Sequence, residues 1–217
     1  MEFAFQQTCG TETQIRGRLN IPQSTLKHRP DSGEVQSNII PTYTPLPNNN
    51  LVTSWGDPVS PTLYQSFIGS INYMALGTRP DLSYAVNYLA RVSSNPNETH
   101  WTALKHLIQY IATTQNKRLR LQVSNDKLFD WTDTNWGGEF QRSTSGFIIY
   151  FLGSPIAWGS RSQRVVATST CAAEFIALGS SVDFLLFLIP ILKSLNCNPP
   201  IVFATTGLQY WYPTITL

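Results

Sequence analysis

Charge is scarce in this chain. Only 13% of its 217 residues are Asp, Glu, Lys or Arg, and the formal net charge is +2, against ~25% charged residues in an ordinary soluble domain. A surface so thinly charged tolerates nucleic acid without demanding it. Cysteine is scarcer still. Cys9, Cys171 and Cys197 show no C-x-x-C or Cys/His spacing, which argues against a disulfide framework or a cysteine-built metal centre and fits a reducing compartment. No signal-peptide layout opens the N-terminus. The longest apolar run, residues 184–192, is interrupted by Pro190 and falls far short of the ~20 residues a spanning helix needs. It predicts a buried helix. These absences lead to the expectation of an intracellular protein, cytoplasmic or nuclear rather than secreted, with no membrane partner and no small-molecule substrate.

What is present falls into three stretches. Residues 1–61 hold half of the 14 prolines and the run Asn48-Asn49-Asn50, with weak hydrophobic periodicity. They predict a poorly ordered arm. From Pro61 the pattern turns helical. Tyr64, Phe67, Ile68, Ile71 and Ala75 follow the i, i+3, i+4, i+7 spacing of one helical face, and Gly77 is placed to cap that helix. Thr78-Arg79-Pro80-Asp81 restarts a helix with Leu82, Ala85, Val86 and Leu89 as its stripe. After the loop SSNPNET, a third helix carries Trp101, Leu104, Ile108 and Ile111. Residues 62–118 are therefore expected to be a helical region.

From Leu119 the period changes to that of strands. LRLQVS and KLFDWTD read as strands, with Asn125-Asp126 as a turn. Gly146–Leu152 and Ile156–Ser160 read as two more, joined by a Gly-Ser-Pro turn. Thr170 is placed as the N-cap of a helix running to about Leu195, kinked near Pro190. Ile201–Ala204 is a last short strand. The order β-β-β-α-β predicts an α/β fold with a mixed sheet over residues 119–217, its last strand parallel to the first and beside it. That order brings two carboxylates together: Asp133 at the end of the first strand and Glu174 in the first turn of the helix. Paired carboxylates gather hard divalent cations for phosphodiester chemistry. Taken singly, each also serves as a strand end or a helix-dipole partner.

The motifs around these two residues resemble the C-terminal part of copia-type retrotransposon Pol polyproteins, from about Pro45 to Ala204. YQSFIGSINYMALGTRPDLSYAVNYLAR and NPNETHWTALKHLIQYIATT are similar to the family's segments after the reverse transcriptase palm. WTDTNWGG resembles S-D-A-D-W-A-G. RSTSGFIIYFLGSPIAWGSRSQ resembles R-S-T-S-G…P-I-S-W-x-S-K-K-Q, and STCAAEFIAL resembles S-T-E-A-E-Y-x-A-L. The resemblance implies thumb or connection helices followed by an RNase H-like domain, which cuts RNA in RNA–DNA hybrids with two Mg²⁺ ions ~3.5–4 Å apart held by three or four carboxylates. It implies Asp133 and Glu174 as catalytic metal ligands.

The departures from the family pattern bear on activity. Thr205 stands where the resemblance implies a third metal-binding Asp, and Thr206 where it implies Asn. Ala172 and Asn135 replace two further acidic residues. A hydroxyl does not replace a carboxylate on Mg²⁺, which holds its ligands through charge and octahedral oxygen geometry. The family's final helix is expected beyond Leu217, leaving a truncated sheet. No Y-x-D-D-type hairpin appears in residues 1–61, so polymerase chemistry is not expected. Arg142, Arg161 and Arg164 are placed to contact phosphates of an RNA–DNA hybrid, or to be solvated loop charges. Trp131, Trp136 and Trp158 are read as packing residues. The expectation is a decayed Pol fragment, inactive as a nuclease; the alternative is a non-catalytic nucleic-acid-binding module on the same fold.

Overall fold

The computed structural model describes residues 41–47, 56–121, 123, 128–137, 142–197 and 201–205, the last four of these by their backbone alone. The chain divides into two compact units between Arg118 and Leu119.

The helical unit contains α1 (Pro61–Gly77), a 3₁₀ turn (Pro80–Leu82), α2 (Ser83–Ala90) and α3 (Glu98–Thr113). The helical spacing in the sequence translates directly into burial. Tyr64, Phe67, Ile68, Ile71 and Ala75 are the buried residues of α1, and Leu82, Ala85, Val86 and Leu89 are buried from the 3₁₀ turn into α2. Burying the Phe, Ile, Leu and Val side chains among them contributes roughly 1.5–3 kcal/mol each. The caps differ from expectation. Gly77 ends α1 without a left-handed conformation; Thr78 caps it, its N–H bonded to the Met74 carbonyl. α3 begins inside the expected loop, because Asn97 and His100 form a reciprocal capping box. The His100 N–H donates to the Asn97 side chain at 3.0 Å, and the Asn97 N–H donates to His100 Nδ1 at 3.1 Å. Two stretches of the expected arm are tied down. The Thr42 N–H donates to Thr113 Oγ1 and His106 Nε2 meets the Thr44 carbonyl. Pro58 bridges Asn97. Backbone polar groups near a packed helix need partners, and these segments supply them. Residues 1–40 and 48–55 of that arm lie outside the described residues.

The second unit has the expected β-β-β-α-β order: β1 (Leu128–Asn135), β2 (Thr144–Phe151), β3 (Ser154–Ser162), α4 (Thr170–Ser194) and β4 (Ile201–Thr205). The sheet order is β3-β2-β1-β4, with β4 parallel to β1 and the other pairs antiparallel. The expected strand at residues 119–124 is not formed at Leu119, Arg120, Leu121 or Val123; the sheet starts at Leu128. α4 packs on one sheet face around Leu128, Ile149, Ala157, Leu185, Leu192 and Ile201. Its N-cap is Ser169 rather than Thr170, with the Ala172 N–H donating to Ser169 Oγ.

The β2–β3 turn also differs from the expected Gly-Ser-Pro. It is the pair Leu152-Gly153, both left-handed with φ of +52° and +77°, as a two-residue hairpin turn of the twist-matching type requires. Ser154 and Pro155 already belong to β3. Pro155 sits beside a register irregularity at Ile149/Tyr150, on an edge strand where a missing N–H is tolerated.

The run at 184–192, expected to be a buried helix, is buried on one side of α4 only. Leu185 and Leu192 are in the core, while Leu186, Phe187 and Ile191 are exposed. A helix lying on a sheet has only one side to bury. Among the described residues α4 is long and apolar enough to cross a membrane by length and composition, with 22% of the tested stretch buried; sheet-packed core helices pass the same test.

Candidate functional site

Strand alternation fixes which face each residue of β1 uses. Leu128, Asp130 and Thr132 are buried toward α4, while Trp131 and Asp133 are exposed. Asp133 lies one residue beyond Thr132, which pairs with Thr205, the last residue of β4. It therefore stands at the carboxyl ends of the two parallel strands, beside the point where the sheet turns antiparallel. Open α/β sheets place their ligand sites at such a position.

Glu174 reaches the same end because of how α4 is anchored. Gln163 Nε2 donates to the Ala173 carbonyl at 2.9 Å, to Ser145 Oγ at 2.9 Å and to Thr134 Oγ1 at 3.4 Å. One buried amide thus ties the first turn of α4 to the ends of β1 and β2. Trp136 adds a second tie, its indole N–H donating to the Ala167 carbonyl at 3.1 Å. Two turns further along, Ser181 Oγ donates to Asp130 Oδ2 at 2.6 Å. Ser181 follows Glu174 by seven residues and so shares its helix face. The helix runs back over β1, with Ser181 above Asp130 and Glu174 above the strand's end.

Asp133 and Glu174 are electrostatically coupled. Burial raises the Glu174 carboxyl above its ordinary range, and the negative charge of Asp133 raises it further. Alternation alone sends Asp133 to the face opposite Asp130, so the coupling passes around the end of β1. Glu174 is 8% exposed and its Oε2 has no hydrogen-bond partner. An oxygen left this way requires an explanation, because a buried polar atom without a partner costs ~1–3 kcal/mol.

Sequence reasoning missed Asp130 and Gln163. Asp130 is fully buried. Burial pushes its carboxyl up to about 6 despite the Ser181 hydrogen bond. Its Oδ1, the Thr132 hydroxyl and Gln163 Oε1 also lack partners. The signal for Asp130 was available: an Asp three residues from Asp133 in one strand falls on the opposite face, the face that Leu128 buries.

Arg142, Arg161 and Arg164 are all exposed. Asn135 pairs with Thr144 and Thr144 with Ser162, so the three arginines gather at the same end of the sheet as Asp133. Trp131 and Trp136 are exposed and Trp158 is half-buried, so of the three expected packing residues only Trp158 lies partly within the fold. Ala172 caps rather than ligates, through its backbone N–H.

The donor set does not fit a two-Mg²⁺ centre. Two ions carry +4, and Asp133 and Glu174 supply −2. Among the described residues no group of three His, Cys, Asp or Glu side chains is placed to hold a metal.

No protein-family model matches the chain. The retrovirus-related Pol polyprotein from transposon RE2 of Arabidopsis thaliana is 33% identical over 171 residues, covering 75% of this chain and 12% of that protein. The secreted RxLR effector protein 161 of Plasmopara viticola is 38% identical over 123 residues, covering 55% of this chain and 87% of that protein. A solved structure of the foamy viral protease-reverse transcriptase in complex with double-stranded DNA covers 71% of this chain and 26% of its own, at 13% identity and a TM-score of 0.37. That likeness is too slight to bear on function. The chain thus spans about one-eighth of the polyprotein it matches, but most of the effector.

Proposed function

The chain belongs to the copia-type retrotransposon Pol polyproteins, and from that premise we propose that its sheet unit is an RNase H-like domain that no longer hydrolyses the RNA of RNA–DNA hybrids. The supporting observation is the position of Thr205. It pairs with Thr132 at the carboxyl end of β1, beside Asp133 and Glu174, where a nuclease of this architecture needs a third carboxylate to hold two Mg²⁺ ions. With two carboxylates, one on each side of the strand end, the site attracts a single divalent cation weakly, and no hydrolytic step follows from it.

A labelled RNA–DNA hybrid incubated with the protein and Mg²⁺ or Mn²⁺ tests this reading. The expected result is no cleavage above background. Cutting that disappears in Asp133→Asn overturns it. Thr205→Asp supplies the missing charge and is expected to tighten Mn²⁺ binding at least tenfold by calorimetry, with Asp133→Asn cancelling the gain.

A second reading is favoured by the gathering of Arg142, Arg161 and Arg164 at the same end. It is a binding module that holds nucleic acid without cutting it. Each phosphate contact contributes to a salt slope of about −0.7 to −0.9. Hybrid binding that weakens with salt, and loses slope in Arg161→Ala and Arg164→Ala, selects this reading.

A further inference from the structure

Four cations of the helical unit are already engaged. Arg79 and Lys105 are each paired with a carboxylate, and Arg91 and Lys117 lie over tyrosine rings. Arg161 and Arg164 of the sheet unit are not. Among the described residues neither side chain has an ion pair or a hydrogen bond. Arg161 stands in register with Ser145, and Ser145 with Thr134. Gln163 Nε2 donates to both of those hydroxyls and to the Ala173 carbonyl of α4. The row therefore lies on the α4 face, and Arg161 with it, because cross-strand partners share a face. Asp133, one residue before Thr134, leaves from the other face.

Trp136 comes to the same side as Arg161. Its indole N–H donates to the Ala167 carbonyl at 3.1 Å, in the loop between β3 and α4. That bond restrains the ring and uses the one polar atom of the side chain. The residue is still 48% exposed, and among the described residues no other ring and no cation lies against it. A tryptophan that served packing alone would hide its ring. The loop that holds it exposes Val165 and Val166 and carries Arg164 three residues before Ala167, at most ~11 Å of chain away. A restrained, open indole with unpaired guanidinium groups beside it has the chemistry of a stacking platform. Every nucleobase offers it a π-face, and arginine takes the neighbouring phosphates. The base must be unpaired to present that face, since inside a duplex or hybrid its neighbours cover both sides.

We propose that Trp136, with Arg161 and Arg164, binds single-stranded nucleic acid by stacking an unpaired base on the indole. The proposal rests on the reading of this arginine-bearing end as a nucleic-acid surface and names what it takes. Fluorescence anisotropy at one fixed salt concentration compares oligo(dT) of ~12 nucleotides with a blunt RNA–DNA hybrid of the same length. Trp136→Leu keeps an apolar side chain and removes the π-face; Trp136→Phe keeps a π-face and removes the N–H. The expected result is oligo(dT) binding weakened at least ~fivefold by Trp136→Leu and less than ~twofold by Trp136→Phe, with hybrid binding unchanged in both. Arg161→Ala and Arg164→Ala should weaken both ligands. Oligo(dT) binding that ignores Trp136→Leu overturns the proposal. So does an equal loss in the two Trp136 variants, which assigns the effect to the tie with Ala167. Hybrid binding that needs the arginines, without oligo(dT) binding, overturns the stacking site and leaves the surface standing; binding of neither ligand removes both. Photo-crosslinking of iodouracil-substituted oligo(dT) to the unaltered chain covers the case in which a variant does not fold. Mass spectrometry should place the crosslink on Trp136, and crosslinks confined to other residues overturn the proposal.

Discussion

The two units handle buried charge in opposite ways. In the helical unit, Arg79 is 6% exposed, and its guanidinium is fully engaged. It donates to both oxygens of Asp81 at 2.9 and 2.8 Å and to Thr114 Oγ1 at 2.7 Å, and the Tyr110 hydroxyl donates to Asp81 Oδ2 at 2.7 Å. The 3₁₀ turn is thereby locked to the end of α3. Burial works to raise the Asp81 carboxyl, but hydrogen bonds from Arg79 and then Tyr110 overcome it and hold it below the ordinary range. In the sheet unit, Asp130 and Glu174 are buried with one partner or none for their oxygens, and both are pushed up. A closed ion pair serves the fold. Carboxylates kept short of partners weaken it, and such groups cluster where a family places its chemistry.

The largest test of this contrast is Arg79→Ala. It removes the guanidinium partner of Asp81, whose side chain is 33% exposed, together with the packing of the buried Arg79 side chain, and is expected to destabilise the helical unit by up to about 3 kcal/mol, read as a fall in the urea midpoint. Arg79→Met/Asp81→Leu should recover most of that loss. A single-variant loss under about 1 kcal/mol would show that the cluster does not lock the turn.

The next test uses pH, and the units should answer with opposite signs. Asp81 is depressed in the folded state, so its contribution is present at neutral pH and is lost in acid. Asp130 is raised from 3.8 to about 6, so the folded sheet unit holds its proton longer than the unfolded chain. Its contribution is complete below about pH 4 and is lost as pH rises through 6, a difference of about 3 kcal/mol at 1.36 kcal/mol per pKa unit. Asp130→Asn imitates the protonated form and keeps an acceptor for Ser181. It is expected to flatten that decline and leave the variant more stable than the parent at pH 7. Pulse proteolysis at pH 4, 5.5 and 7, with fragments from each unit followed by mass spectrometry, separates the two responses. A sheet unit that gains stability between pH 4 and 6 contradicts the assignment.

The smallest effect concerns the hairpin. Leu152 occupies the left-handed region, which costs an ordinary L-residue roughly 1–2 kcal/mol. Leu152→Asn gives the preferred Asn-Gly turn and is expected to raise the sheet unit's stability by about 1 kcal/mol in urea. An unchanged midpoint would mean that Leu152 packing offsets the strain.

These features divide by how far their causes reach along the chain. Helix stripes, strand order and the β1–β4 pairing follow from local periodicity and chain connectivity, and were legible. The Arg79–Asp81–Tyr110–Thr114 cluster was not, because Thr114 lies 35 residues from Arg79 and no spacing rule links them. Gln163 was quoted only as part of a motif, since its task depends on Ala173, Ser145 and Thr134 arriving around it. Asp130 was overlooked although alternation marked it. The Leu152-Gly153 turn was missed for a different reason: leucine is a poor turn residue, and Gly-Ser-Pro beside it carried the stronger local signal.

The placement of Pro155 has a consequence for how this chain behaves in a crowd. β3 is an outer strand of the sheet; Pro155 has no N–H to donate, and the register irregularity beside it interrupts the regular ladder at one place. Growth of fibrils by adding strand to strand requires an unbroken row of donors and acceptors. On this side the row is interrupted near its start, so templated polymerisation from β3 is poorly supported.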